Sequence, residues 1–230
     1  RLDLGCGPID YVLVRRRGRR GVGLKVDETG LTVSAPATMP LARIEALVRE
    51  SDRWVLRKIE EWRARRAPPV QWRDGAFLPY LGGSVVLRVA CGERSRAELG
   101  AGELRATVRD PAEDEVRRVA IAWYKRAAKS LLGERVATLA ARAGLAPPRL
   151  FVSSALARWG SCNSRREVRL AWRLVKAPPE LVDYVVCHEL AHLRHMNHSP
   201  RFWAEVERQC PGHRELRARL FDTDHLYRSF

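Results

Sequence analysis

The sequence predicts an α+β protein, β-rich over its first hundred residues and mostly helical after them. Two patterns carry this expectation. Apolar and polar residues alternate with period two in "YVLVRR" (11–16), "GLKVDETGLTVSA" (23–35) and "GAFLPYLGGSVVLRVA" (75–90), as strands with one buried face do. Elsewhere apolar residues recur at helical spacing in stretches flanked by proline. The expected division is a β-rich part with one long helix, residues 1–109, followed by a second domain, residues 110–230.

Thr29-Gly30 and Gly82-Gly83 supply turns, so the strands are expected to pair as antiparallel hairpins. Between them, Met39 to Arg66 sets Ile44, Leu47, Val48, Trp54, Val55, Ile59 and Trp62 on one helix, capped by Thr38 and stopped by Ala67-Pro68-Pro69. Asp110 is placed to cap a second helix, with Pro111 at its first position and Glu113 completing a capping box. That helix runs through Val116, Val119, Trp123, Leu131 and Val136 to "GLAPP" (144–148). Strands are expected at Arg149 to Ser153 and at Glu167 to Leu174, the latter with Val168, Leu170, Trp172 and Leu174 on one face. A helix then follows Pro178-Pro179, and "SPRFWAEVERQC" and "PGHRELRARLF" read as two short ones.

A chain of 230 residues, 46% hydrophobic and 30% charged, can bury a core without a metal or disulfide staple. Any metal is therefore expected to serve chemistry rather than folding. No apolar run approaches the roughly 18 residues of a bilayer span, and no secretory signal is recognised, so a cytoplasmic protein is expected. Five cysteines, Cys6, Cys91, Cys162, Cys187 and Cys210, are odd in number and never form C-x-x-C; reduced thiols are expected. The net charge of +15, from 42 Lys+Arg against 27 Asp+Glu, makes nucleic acid a candidate partner through a basic surface. Arg that simply covers the surface is the alternative.

The chemistry concentrates in "VVCHELAHLRHMNHSPRFW" (185–203), which holds four of the six histidines. His188-Glu189-Leu190-Ala191-His192 is H-E-x-x-H on an expected helix. Residues four apart share a face, so both imidazoles can reach one ion while Glu189 sits beside it as a base. Such an ion, most simply Zn²⁺, brings its water toward a pKa of about 7, and Glu189 accepts the proton. Catalytic zinc takes three protein ligands, and His195 and His198 compete to be the third. His195 returns to the face of His188, but three imidazoles in one row converge poorly on one ion. Asn197 tolerates the left-handed conformation that ends helices, and Ser199-Pro200 reads as the cap of the next, which places His198 in a turn free to point back.

"RWGSC" (158–162), "YVVCHELAHLRHMNHSPRFW" (184–203) and a trailing Pro closely resemble the YgjP-like metallopeptidase family, relatives of WLM and SprT-type zinc proteases. The resemblance implies a zincin-like metallopeptidase domain over 110–230, in which His188, His192 and His198 bind zinc and Glu189 is the catalytic base. It also marks Arg158, Trp159, Gly160 and Ser161 as candidate cleft-lining residues. The expected function is a zinc-dependent hydrolase of peptide bonds acting on protein or peptide substrates. A metal-dependent UTP pyrophosphatase is the alternative, and a nucleic-acid-binding module with a structural zinc is a third reading. His213, His225 and Tyr227 are candidate stabilisers of a developing oxyanion, against packing roles. Cys187 is expected to be a buried small hydrophobe. An extended peptide is expected to add to the strand from Glu167 to Leu174.

Should the Arg excess recruit nucleic acid, affinity falls steeply from low to physiological salt, because phosphate contacts release counterions. Binding that is absent at low salt, or indifferent to salt in a titration, assigns the excess to surface coverage.

Overall fold

The computed structural model describes residues 1–5, 7–27, 29–64 and 69–230. Cys6 and the expected helix stop at Ala67-Pro68 lie outside the described residues. The chain forms two compact units, Arg1–Ala67 and Pro68–Phe230. This division falls well before the expected 109/110, because the four-stranded sheet of residues 77–108 belongs with the long helix that follows it. Among the described residues no helix is long and apolar enough to cross a membrane.

The first unit holds β1 (Leu2–Asp3), β2 (Pro8–Ile9), β3 (Tyr11–Arg16), β4 (Gly23–Asp27), β5 (Gly30–Pro36), α1 (Leu41–Glu50) and α2 (Asp52–Ala64). The alternation in β5 is realised: Leu31, Val33 and Ala35 are buried against Ile44, Val48 and Val55 of the two helices. The single expected helix is two, because Ser51 ends α1 and its carbonyl then accepts from Val55 N at 3.0 Å to start α2. Ser and Asp favour caps over helix interiors. Pro40, not Thr38, stands at the N-terminus of α1, with no side-chain cap.

The second unit contains β6 (Phe77–Tyr80), β7 (Gly83–Cys91), β8 (Arg96–Gly100), β9 (Glu103–Val108), α3 (Glu113–Arg142), β10 (Arg149–Ser153), β11 (Gly160–Cys162), β12 (Glu167–Ala171), a 3₁₀ turn (Trp172–Lys176), α4 (Pro179–Ala191), α5 (Pro200–Gln209) and α6 (His213–Arg228). β1 pairs antiparallel with β2, and the three larger sheets run β3-β5-β4, β6-β7-β9-β8 and β10-β12-β11. Each is mixed rather than a plain hairpin set. β3 pairs parallel with β5, β7 with β9 and β10 with β12, while β4, β8 and β11 pair antiparallel with those same partners. The turn residues specify the hairpins but not the strand that docks on their far side. The β8–β9 hairpin, absent from the sequence expectation, turns on Ala101 and Gly102, both at positive φ.

α3 is the spine of this unit. Val116, Val119, Ala120, Trp123, Tyr124, Ala128, Leu132, Val136, Leu139 and Ala140 form its buried stripe. It begins at Glu113, two residues later than expected. Asp110 makes an Asx turn with Ala112 N at 3.0 Å, and Glu115, not Glu113, reaches back to Asp110 N at 3.2 Å. Its far end turns at Gly144 (φ 66), and Arg194 and Arg208 both donate to the Ala143 carbonyl, at 3.0 and 3.4 Å, where cations favour a helix C-terminus. β12 stops at Ala171, three residues short of expectation, and Trp172–Lys176 winds into the 3₁₀ turn. There Lys176 is fully buried, donates to the Ser229 carbonyl and lies 3.7 Å from the Phe230 ring centroid; burial pushes its pKa down to about 6.

Tyr124 on α3 is buried, and its hydroxyl donates to the Pro79 carbonyl of β6 at 2.6 Å. Tyr124→Phe removes that donor and strands a carbonyl beside the core, so chemical denaturation should show a loss of about 1–3 kcal/mol. A variant as stable as the wild type contradicts the assignment of this bond.

Candidate metal centre

α4 carries the H-E-x-x-H stretch because one side of it belongs to the core. Leu181, Val182, Val185, Val186, Cys187 and Leu190 are buried, and Arg135 of α3 grips Asp183 with two guanidinium nitrogens, Nε donating to Oδ1 at 2.7 Å and Nη2 to Oδ2. The helix ends at Ala191 with His192 at its C-cap, so the two motif histidines straddle its last turn. His195 N bonds Ala191 O at 3.0 Å, and Asn197 is not left-handed, so the chain turns without the left-handed residue expected there. Ser199 then caps α5, its hydroxyl accepting from Phe202 N at 3.4 Å, with Pro200 at the first position.

The turn brings His198 back onto α4. The ligand nitrogens of His188, His192 and His198 all lie within 4.8 Å of one another and could hold a metal ion. His188 Nε2 and His198 Nε2 are 3.2 Å apart. Two nitrogens on a tetrahedral zinc, each about 2.0–2.1 Å from the metal, stand roughly 3.3 Å apart, so this separation suits a shared ion. Burial, then the neighbouring His192 and His198, push the His188 pKa down to about 4. Its imidazole is therefore neutral at pH 7, and lone pairs facing at this distance need a shared proton or cation. His192 Nδ1 lies 3.1 Å from the His195 carbonyl, which leaves Nε2 for the centre. His195 thus enters through its backbone.

The donor set, three imidazoles with one ring oriented by a backbone carbonyl, fits zinc. Beneath it Phe202, fully buried, sits 5.0, 4.5 and 4.7 Å from the ring centroids of His188, His192 and His198. Trp203 stacks on His198 at 5.8 Å and on His213 at 5.5 Å, and Arg217 lies 4.9 Å from the Trp203 ring. Phe202, Trp203 and Arg217 were not singled out in the sequence. The spacing Ser199, Phe202, Trp203 was the available signal, since a residue three after a cap faces back over the preceding turn.

Glu189 is 5% exposed, and its Oε2 has no hydrogen-bond partner among the described residues. Burial pushes its pKa up to about 7, against the opposing charge of Arg158. Of the "RWGSC" residues, Arg158 is exposed and Trp159, Gly160, Ser161 and Cys162 are partly buried. Gly160 and Cys162 pair with Leu170 and Val168 on the buried face of β12, whereas Ser161 pairs with exposed Arg169 on the other. Trp159 turns toward α6, 6.5 Å from Tyr227 and 4.7 Å from Arg228. The stretch therefore divides by parity, one set facing α4 and the other not.

The remaining candidates lie in packing positions. His213 is 4% exposed, its Nδ1 2.5 Å from Glu207 Oε2. His225 has a buried Nδ1 without a partner among the described residues. Cys187 is buried as expected, its Sγ 3.8 Å from the Gln209 carbonyl. The expected peptide addition to the Glu167–Leu174 strand is overturned: β12 is central, with its backbone groups engaged by β10 on one side and β11 on the other.

No curated protein matches the chain significantly. Among solved structures it is similar to the metallopeptidase zymogen of Pyrococcus abyssi abylysin, with 23% identity, a TM-score of 0.37, and 39% of this chain and 91% of that one covered. It is also similar to the metallopeptidase zymogen of Methanocaldococcus jannaschii jannalysin, with 18% identity, a TM-score of 0.36, and coverage of 39% and 93%. The YgjP-like, metallopeptidase domain family matches residues 20–223, nearly the whole chain and the entire histidine cluster, and the chain belongs to that family.

Proposed function

We propose that the chain is a zinc-dependent peptidase in which His188, His192 and His198 hold the ion and Glu189 is the general base. The convergence of three imidazole nitrogens within 4.8 Å carries this reading, together with a buried carboxylate on the same turn of α4. Zinc held there supplies a Lewis acid for the attacked carbonyl and a water activated near neutral pH. The protein's own groups do the rest. His188 arrives neutral, so binding a cation costs it no proton. Glu189, buried with the Arg158 charge nearby, takes the proton of the attacking water and returns it to the leaving amine. A structural zinc site has no use for such a base, which disfavours a purely binding role.

β11, an edge strand in its sheet, offers the backbone along which an extended peptide adds next to Glu189. This replaces β12 as the docking strand. The Arg-rich surface extends the proposed substrates to proteins that are acidic or bound to nucleic acid, and a cytoplasmic location, where thiols stay reduced, is part of the proposal. The division of 1–109 from a catalytic 110–230 survives in the proposal only for the catalytic part.

Two experiments test the assignments. Zinc-loaded wild type and Glu189→Gln are each offered unfolded protein, protein bound to DNA, and UTP. The variant should keep stoichiometric zinc and lose nearly all turnover of the protein substrates, since an amide cannot take the water's proton. Loss of zinc from Glu189→Gln makes Glu189 a ligand, and consumption of UTP alone replaces the peptidase with a pyrophosphatase. In the second, zinc content is measured in His198→Ala and His195→Ala. The first should lose tight zinc binding and activity; the second should keep both, because the carbonyl that meets His192 belongs to the backbone. The reverse pattern overturns the ligand set.

A further inference from the structure

We propose that Gly160 is a positioning residue for Glu189: the side chain missing from β11 is the space that the carboxylate occupies. This inference rests on the reading of Glu189 as the general base. A Cβ added at Gly160 would lie 2.5 Å from Glu189 Oε1, 2.6 Å from Cγ and 2.8 Å from Cδ. All three are closer than real Cβ contacts come, and they involve the middle of the side chain as well as its end. A methyl group there cannot be absorbed by swinging the carboxylate tip alone.

The need for glycine at this position is spatial. Gly160 does not have the positive φ of the chain's turn glycines, so its backbone is one that any residue adopts. It sits instead within a strand, where glycine weakens the ladder and is retained for a close approach. That strand is firmly placed. Gly160 pairs with Leu170, Cys162 pairs with Val168, and the Trp159 carbonyl accepts from Ala171 N at 2.8 Å. On the other side, α4 is fixed by its buried apolar face and by the Arg135–Asp183 pair. Two elements held independently by the core leave one slot between them, and Glu189 fills it.

Arg158 and Cys162 flank Gly160 at strand spacing, and Cys162 pairs with Val168 on the same buried face of β12 on which Gly160 pairs with Leu170. One face of "RWGSC" is thus the wall of the Glu189 pocket. The backbone of the same strand is the proposed docking edge for substrate, so base and peptide are placed from one reference. A displacement of about 1 Å in a reacting group can cost on the order of a hundredfold in rate, which gives this shared reference its value.

The test compares zinc-loaded wild type, Gly160→Ala, Glu189→Asp and the double variant on the protein substrate that wild type consumes. Gly160→Ala should lower kcat by roughly ten- to a hundredfold, with KM and zinc content little changed. Glu189→Asp shortens the side chain away from the new methyl, so adding Gly160→Ala to it should cost little more. Such non-additivity marks direct contact. Thermal unfolding of the metal-free proteins gives a readout independent of turnover: Gly160→Ala should lower Tm and Glu189→Asp should restore part of the loss. Multiplying effects on kcat, or a Gly160→Ala enzyme as fast as wild type, overturns the proposal. If Gly160→Ala does not fold, a folded, zinc-loaded double variant supports the proposal, and an unfolded one overturns it. An active Glu189→Gln would instead sink the reading of the base, whereas an inactive Glu189→Gln beside a fully active Gly160→Ala sinks this inference alone.

Discussion

The packing of α4 into the second unit is the constraint on which the candidate centre depends. One helix must bury Val182, Val185, Val186 and Leu190 against α3 and the three-stranded sheet while delivering two imidazoles and a carboxylate at its last turns. Helical geometry sets the relation between His188 and His192. The core sets everything else, because a close-packed interior fixes both the rotation of the helix and its height. The bidentate Arg135–Asp183 pair adds a polar tether between α3 and α4. Only with α4 so fixed does a tight contact such as that between Gly160 and Glu189 remain a contact rather than an average.

The electrostatics follow from the same burial. Desolvation disfavours charge, so it pushes His188 down and Glu189 up. The two shifts are complementary. A neutral imidazole is the form that ligates a metal, and a carboxylate of raised proton affinity is the better base. A divalent cation beside Glu189 would draw its pKa down again and leave it ionised. Phe202 closes the underside of the three histidines with a fully buried ring.

The three mixed sheets repeat one device. In each, a hairpin receives a third strand in parallel on its far side, as β3 on β5, β7 on β9 and β10 on β12. For the centre, the consequence lies in the last sheet: β12 is protected in the middle, and β11, three residues long, is left at the edge beside Glu189. The short motif strand is pinned to β12 on one side by hydrogen bonds, and on the other no strand pairs with it among the described residues.

Much of this was legible in the sequence, for identifiable reasons. The alternation of Leu31, Val33 and Ala35, the apolar stripe from Val116 to Val136, and the spacing of His188 and His192 are local regularities that the backbone converts directly into faces. Ser199-Pro200 likewise carries its own start signal for α5, which is why His198 could be preferred over His195. The sequence did not disclose which strands pair in parallel, that β12 ends at Ala171 and lies in the middle of its sheet, or that Phe202, Trp203 and Gly160 converge on the histidines and Glu189. These depend on contacts between residues far apart in the chain. Period and propensity report how a segment buries its own face, but not which segment will meet it there. The residue types that can perform the chemistry were therefore determined by the sequence alone, and the space, burial and direction that bring them together were decided by the packing of α4 against β11.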